Sequence, residues 1–110
     1  MSKTPHIVLC TCPDQSTAEQ LAQLLVEKQL AACVNIVPKL TSIYRWEGKI
    51  EKTNELLLII KTCLETYAKL ETAIRNNHPY KVPEILALSI KRGSLEYLDW
   101  ITENTMIDVS

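Results

Sequence analysis

Residues 46–61, with the sequence WEGKIEKTNELLLIIK, decide the fold. Within this stretch Glu47-Gly48-Lys49 predicts a tight hairpin, because Gly48 supplies the positive φ that a short turn between antiparallel strands requires. The strand after the turn runs from about Ile50 to Lys61, and its centre, residues 56–60, is apolar on both faces. This pattern is typical of a central strand that is covered on both sides, either by its own chain or by another subunit.

Two further strands precede the hairpin. Residues 32–46 predict a long strand, and Pro38 within it predicts a bulge, a bend or an edge position, because proline cannot donate a hydrogen bond to a ladder. The short apolar segment His6–Cys12 predicts the first strand, which ends at Pro13. Together with the strand after the hairpin, they supply three strands of the predicted sheet.

The segment between the first two strands predicts an amphipathic helix that ends near Leu30. Its apolar residues recur at helical spacing, at positions 18, 21, 22, 25 and 26. Two N-caps fit the sequence: Ser16, which forms a capping box with Glu19, or Asp14 together with Thr17. The pattern predicts the helix clearly, but it does not decide which of the two residues is the N-cap.

The second half of the chain repeats the order of the first. Thr62 and Glu65 predict a second capping box, and the helix that follows should end at residues 76–77, just before the next proline. A fourth strand is predicted over Glu84–Ile90, and Ser94 can cap a terminal helix. Each half is therefore a strand–helix–strand unit, and the central hairpin joins the two.

This order predicts an α+β fold of the ferredoxin-like type, a split βαβ-βαβ sandwich in a single domain over residues 1–110. We expect a four-stranded antiparallel sheet with helices on one face, plus a C-terminal helix. Helices on one face leave the other face open, and the doubly apolar third strand then requires a partner. Self-association is the simplest way to cover it.

Composition and charge exclude several classes of function. Gly48 and Gly93 are the two glycines of the 110 residues, so no glycine-rich phosphate-binding loop can form. The net charge is −1, and we find no long basic run of the kind that nucleic-acid binding requires. The longest apolar run, residues 56–60, is far shorter than the roughly 20 residues that cross a bilayer. The N-terminus lacks the apolar core of a secretion signal, so we expect the protein in the cytoplasm.

Four cysteines stand at positions 10, 12, 33 and 63, without a CxxC pair or a zinc-finger spacing. Thiols stay reduced in the cytoplasm, and we expect all four to be free and mostly buried as small apolar residues. Cys10 and Cys12 alternate through one residue of a strand, so their side chains share a face. Such a pair could hold a soft metal ion.

Four blocks of the sequence resemble the signature blocks of the CutA divalent-cation tolerance proteins, in the order of that family. The blocks are IVLCT at 7–11, LAACVN at 30–35, YRWEGKI at 44–50 and HPYKVPE at 78–84. The resemblance covers residues 6–105. It implies a ferredoxin-like fold, a tight homotrimer with strands paired across subunits, and a link to copper and other divalent cations. The family also resembles the PII signalling proteins in architecture.

The resemblance implies Cys10 and His78 as copper ligands. Family members that bind copper have a histidine pair just before the Pro-Tyr dipeptide, and here that pair is Asn77-His78, so one imidazole is missing. Cys12, which is not part of the family pattern, could replace it. Alternatively, both thiols pack in the core and His78 is hydrogen-bonded to carbonyl groups at the end of a helix. The metal would be copper or another divalent cation, and none is required for folding.

A second group of polar and aromatic residues is implied to gather near a cleft between subunits. Aromatic rings with polar tips serve both subunit interfaces and small-ligand sites, so packing of the trimer and binding of a ligand are both open. The group comprises Tyr44, Trp46, Glu55, Lys61, His78, Tyr80 and Glu84.

The resemblance implies the first two of three candidate functions, and the cysteines and His78 suggest the third. The first is a cytoplasmic homotrimer for divalent-cation tolerance, which responds to metal ions. The second is a signalling or scaffold trimer resembling PII, whose clefts bind a small molecule or a partner protein. The third is a cysteine hydrolase built from Cys10 or Cys33 with His78 and an orienting Asn77 or Glu84. Nothing, however, places an exposed thiol at a helix N-terminus. We therefore expect no enzyme activity, and no nucleic acid or membrane as a partner.

Overall fold

The computed structural model describes residues 3–106, so the two outermost residues at one end of the predicted domain, and four at the other, lie outside the described part. Within the described range, four strands and three α-helices follow one another along the chain. They are β1 (Pro5–Cys12), α1 (Gln15–Glu27), β2 (Cys33–Trp46), β3 (Lys49–Cys63), α2 (Tyr67–Asn77), β4 (Leu86–Ser89) and α3 (Leu95–Glu103). Neighbouring strands pair antiparallel in the order β2-β3-β1-β4. This confirms the predicted α+β, split βαβ topology.

The hydrophobic core lies between one face of the sheet and the helices α1 and α2. Alternate residues of β1 and β3 face the helices, because successive side chains of a strand point to opposite faces. Strand β3 lies between β2 and β1, which confirms that the apolar segment is central. The core residues include Val8, Cys10, Cys12, Leu21, Leu25, Leu56, Leu58, Ile60, Leu70 and Ile74. On the opposite face, Leu57 and Ile59 remain half-buried within the single chain.

Strands β2 and β3 form a long hairpin that extends beyond the sheet. The predicted irregularity at Pro38 is confirmed, since the register shifts between Val37 and Leu40 and Lys39 has a φ of 60°. The turn at Gly48, with a φ of 81°, is also where the sequence predicted it. Between the bulge and the turn, nearly all side chains of both strands are exposed. We call this part of the hairpin, residues 40–55, the arm.

The cap of α1 is Asp14 rather than Ser16. The Asp14 carboxylate accepts a hydrogen bond from the backbone N–H of Thr17 at 2.7 Å, and this bond holds the pKa of the carboxyl group below its usual range. Helix α1 ends at Glu27, three residues before the predicted end. The change of direction occurs at Gln29, whose φ is 56°.

The second predicted capping box, Thr62 with Glu65, is wrong. Thr62 belongs to β3, is fully buried, and donates its hydroxyl hydrogen to the carbonyl oxygen of Leu30 at 2.7 Å. Glu65 instead accepts from the backbone N–H of Thr4 at 2.7 Å. Strand β3 extends this far because β1 pairs with it up to the Pro5–Cys63 position. A 3₁₀ turn over Leu64–Thr66 then leads into α2.

The C-terminal elements agree with the prediction in order but not in length. Strand β4 covers four residues, Leu86–Ser89, rather than the predicted Glu84–Ile90, because its pairing with β1 stops at Leu9. Ser94 caps α3 as predicted, and its hydroxyl oxygen accepts from the N–H of Tyr97 at 3.2 Å. Among residues 3–106, the helices are all too short or too polar to reach across a bilayer.

Candidate metal centre and adjoining cleft

Two thiols and one imidazole meet beneath the helices. The sulfurs of Cys10 and Cys12 and a ring nitrogen of His78 all lie within 4.8 Å of one another. Both cysteines are fully buried and, as predicted, share one face of β1. His78 arrives from the end of α2, where the chain becomes extended, with φ −101° and ψ 137°. The residue after it is Pro79, which excludes the helical conformation at His78 and so fixes where the helix ends.

Both ring nitrogens of His78 are engaged in hydrogen bonds. Nε2 lies 2.7 Å from the carbonyl oxygen of Thr11, and Nδ1 accepts from the backbone N–H of Tyr80 at 3.1 Å. A carbonyl oxygen only accepts and a backbone N–H only donates, so the proton of the neutral ring is on Nε2. The ring is thus held between β1 and the loop after α2, in agreement with the structural alternative given by the sequence.

The two thiols are linked to each other electrostatically. The pKa of Cys10 is raised, first by its side-chain hydrogen bond to Cys12, then by burial, and further by the negative charges of Glu84 and Glu55. Cys10 therefore keeps its proton, and its sulfur donates to the carbonyl oxygen of Thr11 at 3.8 Å. A metal ion that bound both sulfurs would have to displace these protons, because thiolates are the metal ligands.

Asn77 does not belong to this cluster. Its side-chain nitrogen donates to the carbonyl oxygen of Ala73 at 2.8 Å, back along its own helix. The structure thus brings Cys10 and His78 together as predicted. The third side chain of the cluster is Cys12, whereas Asn77, at the position of the missing histidine, lies outside it. The signal for Cys12 was the alternation of two cysteines on one strand.

A cleft of about 680 Å³ lies beside the arm, where the loop after α2 crosses it. Five residues of the predicted polar and aromatic group line it: Tyr44, Trp46, Glu55, Tyr80 and Glu84. Further lining residues were not predicted as a group, since nothing in the sequence brings the loop to the arm. They are Thr11, Ser42, Ile43, Pro79, Lys81 and Val82.

Glu55 is the buried charge of the cleft. Its side chain is 7% exposed, and Oε2 accepts the hydroxyl hydrogen of Tyr80 at 2.7 Å. Burial and this hydrogen bond raise the pKa of Tyr80, so the phenol stays a donor at neutral pH. The neighbouring Tyr44 accepts at its phenol oxygen from the hydroxyl of Thr53 at 3.0 Å. Tyr80 and Glu55 therefore form a defined polar floor for the cleft.

The cluster and the cleft meet at two residues. The ring of Tyr80 lies with its centroid 4.8 Å from that of His78. Thr11 stands between the two cysteines in sequence. Its carbonyl oxygen accepts from the ring of His78, and the residue also lines the cleft. The two sites are separated by the thickness of one strand.

Lys61 does not line this cleft of the single chain, and its predicted place near a cleft between subunits stays a prediction. It lies six residues along β3 from Glu55, which is about 20 Å in an extended strand. Its Nζ donates instead to the sulfur of Cys33 at 3.9 Å. Lys61 and Glu55 are close in sequence, but the extended conformation of the strand places them far apart in space.

Comparisons with known proteins agree on one family. The sequence profile of the family described as "CutA1 divalent ion tolerance protein" matches residues 6–104. The divalent-cation tolerance protein CutA of Thermus thermophilus is 54% identical over 100 residues, which is 91% of this chain and 97% of that protein. The human protein CutA is 45% identical over 95 residues, 86% of this chain, and the chain spans about half, 53%, of the human protein.

Solved structures show the same fold. The divalent cation tolerance protein of Thermus thermophilus has a TM-score of 0.91 at 52% identity, covering 93% of this chain and 99% of that one. CutA from Xylella fastidiosa has a TM-score of 0.91 at 40% identity, with 94% and 99% covered. A CutA from Archaeoglobus fulgidus, described as periplasmic, has a TM-score of 0.88 at 43% identity, with 91% and 97% covered.

Proposed function

Because the chain belongs to the CutA1 divalent ion tolerance protein family, we propose that it acts in divalent-cation tolerance by binding copper at Cys10 and His78. Cys12 would be the third ligand. The observation that carries this proposal is the meeting of three ligand atoms within 4.8 Å of one another. Among residues 3–106, this is the group of histidine, cysteine or acidic side chains whose ligand atoms lie close enough to share one ion.

The donor set fits copper, especially Cu(I). Thiolate and imidazole are soft or borderline ligands, whereas Cu(II) favours a square arrangement of nitrogen and oxygen donors. Ligands bound at about 2.3 Å lie at most about 4.6 Å apart across an ion, which is close to the 4.8 Å limit within which the three ligand atoms lie. Another divalent cation such as zinc would need a fourth ligand. The proposal includes a fold that does not require the metal, and the packing of both thiols in the core supports this.

The surrounding residues would orient the histidine ligand. If Nδ1 binds the ion, only its 3.1 Å bond to the Tyr80 N–H is lost. The shorter bond from Nε2 to the Thr11 carbonyl oxygen, at 2.7 Å, would then hold the ring in place. Such an outer partner is usual for metal-bound histidine.

Calorimetric titration with Cu(I) and Cu(II) tests the site on the wild-type protein, Cys10→Ser and Cys33→Ser. Cys33 is the matched control, because it is a free thiol outside the cluster. We expect Cys10→Ser to lower Cu(I) affinity by at least about 100-fold, more than the loss of an outer partner. Cys33→Ser should bind like the wild type. Equal, weak binding by all three proteins would refute direct ligation.

We further propose that the protein is a homotrimer. Two apolar regions within the single chain support an interface: the edge strand β4, where Leu86 and Leu88 are 57% and 50% exposed, and the arm, where Ile43 and Ile50 are 69% and 64% exposed. Exposed edge strands readily pair with another chain. Light scattering should give three times the 12.5 kDa of the chain. A mass of 12.5 kDa would contradict the trimer.

We propose the cytoplasm as the compartment and no catalytic activity. The raised pKa and complete burial of Cys10 oppose a role as nucleophile, because the thiolate is the reactive form. Labelling with a thiol-reactive electrophile should therefore be slow at Cys10. Labelling of this thiol much faster than of the others would support a hydrolase. Fractionation of the native host, with antibody detection, tests the compartment.

The cleft supports a second candidate function, ligand binding of the kind that PII-like trimers perform. The specific observation is the buried carboxylate of Glu55 on the wall of an open cleft. A thermal-shift screen against metabolites tests it, with Trp46→Ala as the variant. A flat response of both proteins would count against this function.

A further inference from the structure

The carboxylate of Glu55 has an incomplete set of partners. Oε2 accepts from Tyr80, but no hydrogen bond from residues 3–106 reaches Oε1. Among the described residues, every fully enclosed side-chain oxygen or nitrogen has a hydrogen-bond partner. Since Oε1 has no such partner in that range, it is not fully enclosed. This oxygen is therefore accessible while the side chain as a whole is 93% withdrawn from solvent, with 7% exposed. A buried carboxylate is unfavourable unless a cation or further donors compensate it.

The walls around Glu55 suit a cation that has an organic body. Tyr80 and Tyr44 line the same part of the cleft, and their phenols are close enough to interact electrostatically. Trp46 lies further along the arm, 46% exposed, about 20 Å from the strand position opposite Glu55. Aromatic faces attract ammonium and guanidinium groups through their quadrupoles.

The charge balance of the cleft points the same way. Two carboxylates, Glu55 and Glu84, line the cleft. One lysine, Lys81, also lines it, and its side chain is exposed to solvent. The formal balance is one negative charge, so an anionic ligand would be repelled. A volume of about 680 Å³ is that of a small-molecule site, and a bare metal ion would leave most of it filled with water.

We propose that this cleft binds an organic ammonium ion, with Glu55 as the counter-ion, the Tyr80 hydroxyl fixing the carboxylate, and the rings of Tyr80 and Tyr44 as walls. The inference rests on the second candidate function, ligand binding in the cleft, and names its ligand class. The ammonium group belongs either to a free amine or to a lysine side chain of another protein, since both present the same chemistry.

Four probes of similar size separate charge from shape. They are n-butylammonium, the neutral 1-butanol, the anion butyrate, and Nα-acetyl-lysine methylamide, which carries the ammonium on a peptide unit. Each is titrated into the full-length protein, and binding is followed by the amide N–H chemical shifts of Glu55 and Tyr80. We expect n-butylammonium to bind at least about tenfold more tightly than 1-butanol, which corresponds to about 1.4 kcal/mol. Tighter binding of the blocked lysine would identify a protein partner, and equal binding a free amine.

Glu55→Gln keeps the size of the side chain and an acceptor for Tyr80 but removes the charge. We expect it to bind n-butylammonium no more tightly than 1-butanol. The matched control is Glu51→Gln, on the same strand but outside the cleft lining, which should bind as the wild type does. If 1-butanol or butyrate binds as tightly as the amine, the ligand class is wrong while ligand binding in the cleft stands. If none of the probes shifts these signals, the proposal of an ammonium ligand fails, and the thermal-shift screen against metabolites then decides separately whether the cleft binds another ligand.

Discussion

The Cys10–Cys12–His78 cluster and the cleft lie on either side of β1, and they are built in opposite ways. In the cluster both thiols are fully buried, and each ring nitrogen of His78 has a partner. In the cleft Trp46 is 46% exposed, and one oxygen of Glu55 accepts no hydrogen bond from residues 3–106. One site is closed and satisfied within the chain, whereas the other is open and incomplete.

This difference separates the contributions of the two sites to stability. Side chains in a closed, hydrogen-bonded cluster hold the fold together, so changing them affects folding as well as binding. Groups left unpaired at an open site do not stabilise the fold and are available to a ligand. Substitutions in the cluster should therefore lower the free energy of unfolding more than substitutions at the cleft do. The rings of His78 and Tyr80 are in contact between the two sites. Substituting each of them tests which of the two residues stabilises the fold.

The largest effect is expected for His78→Ala in the metal-free protein. The change leaves the Thr11 carbonyl and the Tyr80 N–H without their partner and opens a void, which together should lower the free energy of unfolding by about 3 kcal/mol. Urea denaturation at one fixed protein concentration, with a chelator present, measures it. The control is Asn77→Ala, an exposed neighbour that should change stability by less than about 0.5 kcal/mol. Equal effects of the two changes would show that the cluster is not a stabilising unit.

An intermediate effect is expected for Tyr80→Phe. It removes the hydroxyl that donates to Oε2 of Glu55, a bond to a charged group, and should cost about 1.5 kcal/mol. The ring and its contact with His78 remain, so copper binding should not change. The same denaturation experiment and the Cu(I) titration measure both quantities. A loss as large as that of His78→Ala would mean that the cleft is as closed as the cluster.

The elements that sequence could predict are those set by neighbours along the chain. Gly48 marks the turn and Pro38 the bulge because backbone conformation at such residues is a local property. The cysteine pair was also predictable, since alternation along one strand places both sulfurs on one face. Thr62 was not, because its role is set by pairing with β1, almost sixty residues earlier. Long-range pairing here overrides a local capping pattern.

The site depends on contacts that no spacing reveals. His78 is held by Thr11, 67 positions away in sequence, so its orientation could not be derived from the residues beside it. Lys61 shows the opposite case, a residue near Glu55 in sequence that lies far from it along the strand. The resemblance to a family supplied the list of residues, and the fold decided which of them meet.

The smallest effect is expected for Glu55→Gln, and it gives the sharpest test of the comparison. The neutral amide keeps an oxygen for the Tyr80 hydroxyl and removes a buried negative charge. The favourable loss of a buried charge and the weaker hydrogen bond oppose each other, so the free energy of unfolding should change by less than about 0.5 kcal/mol. Thermal and urea denaturation, without amines in the buffer, measure it. A loss above about 1.5 kcal/mol would mean that Glu55 already has its full set of partners in the assembled protein, and the cleft would then be a closed site like the cluster.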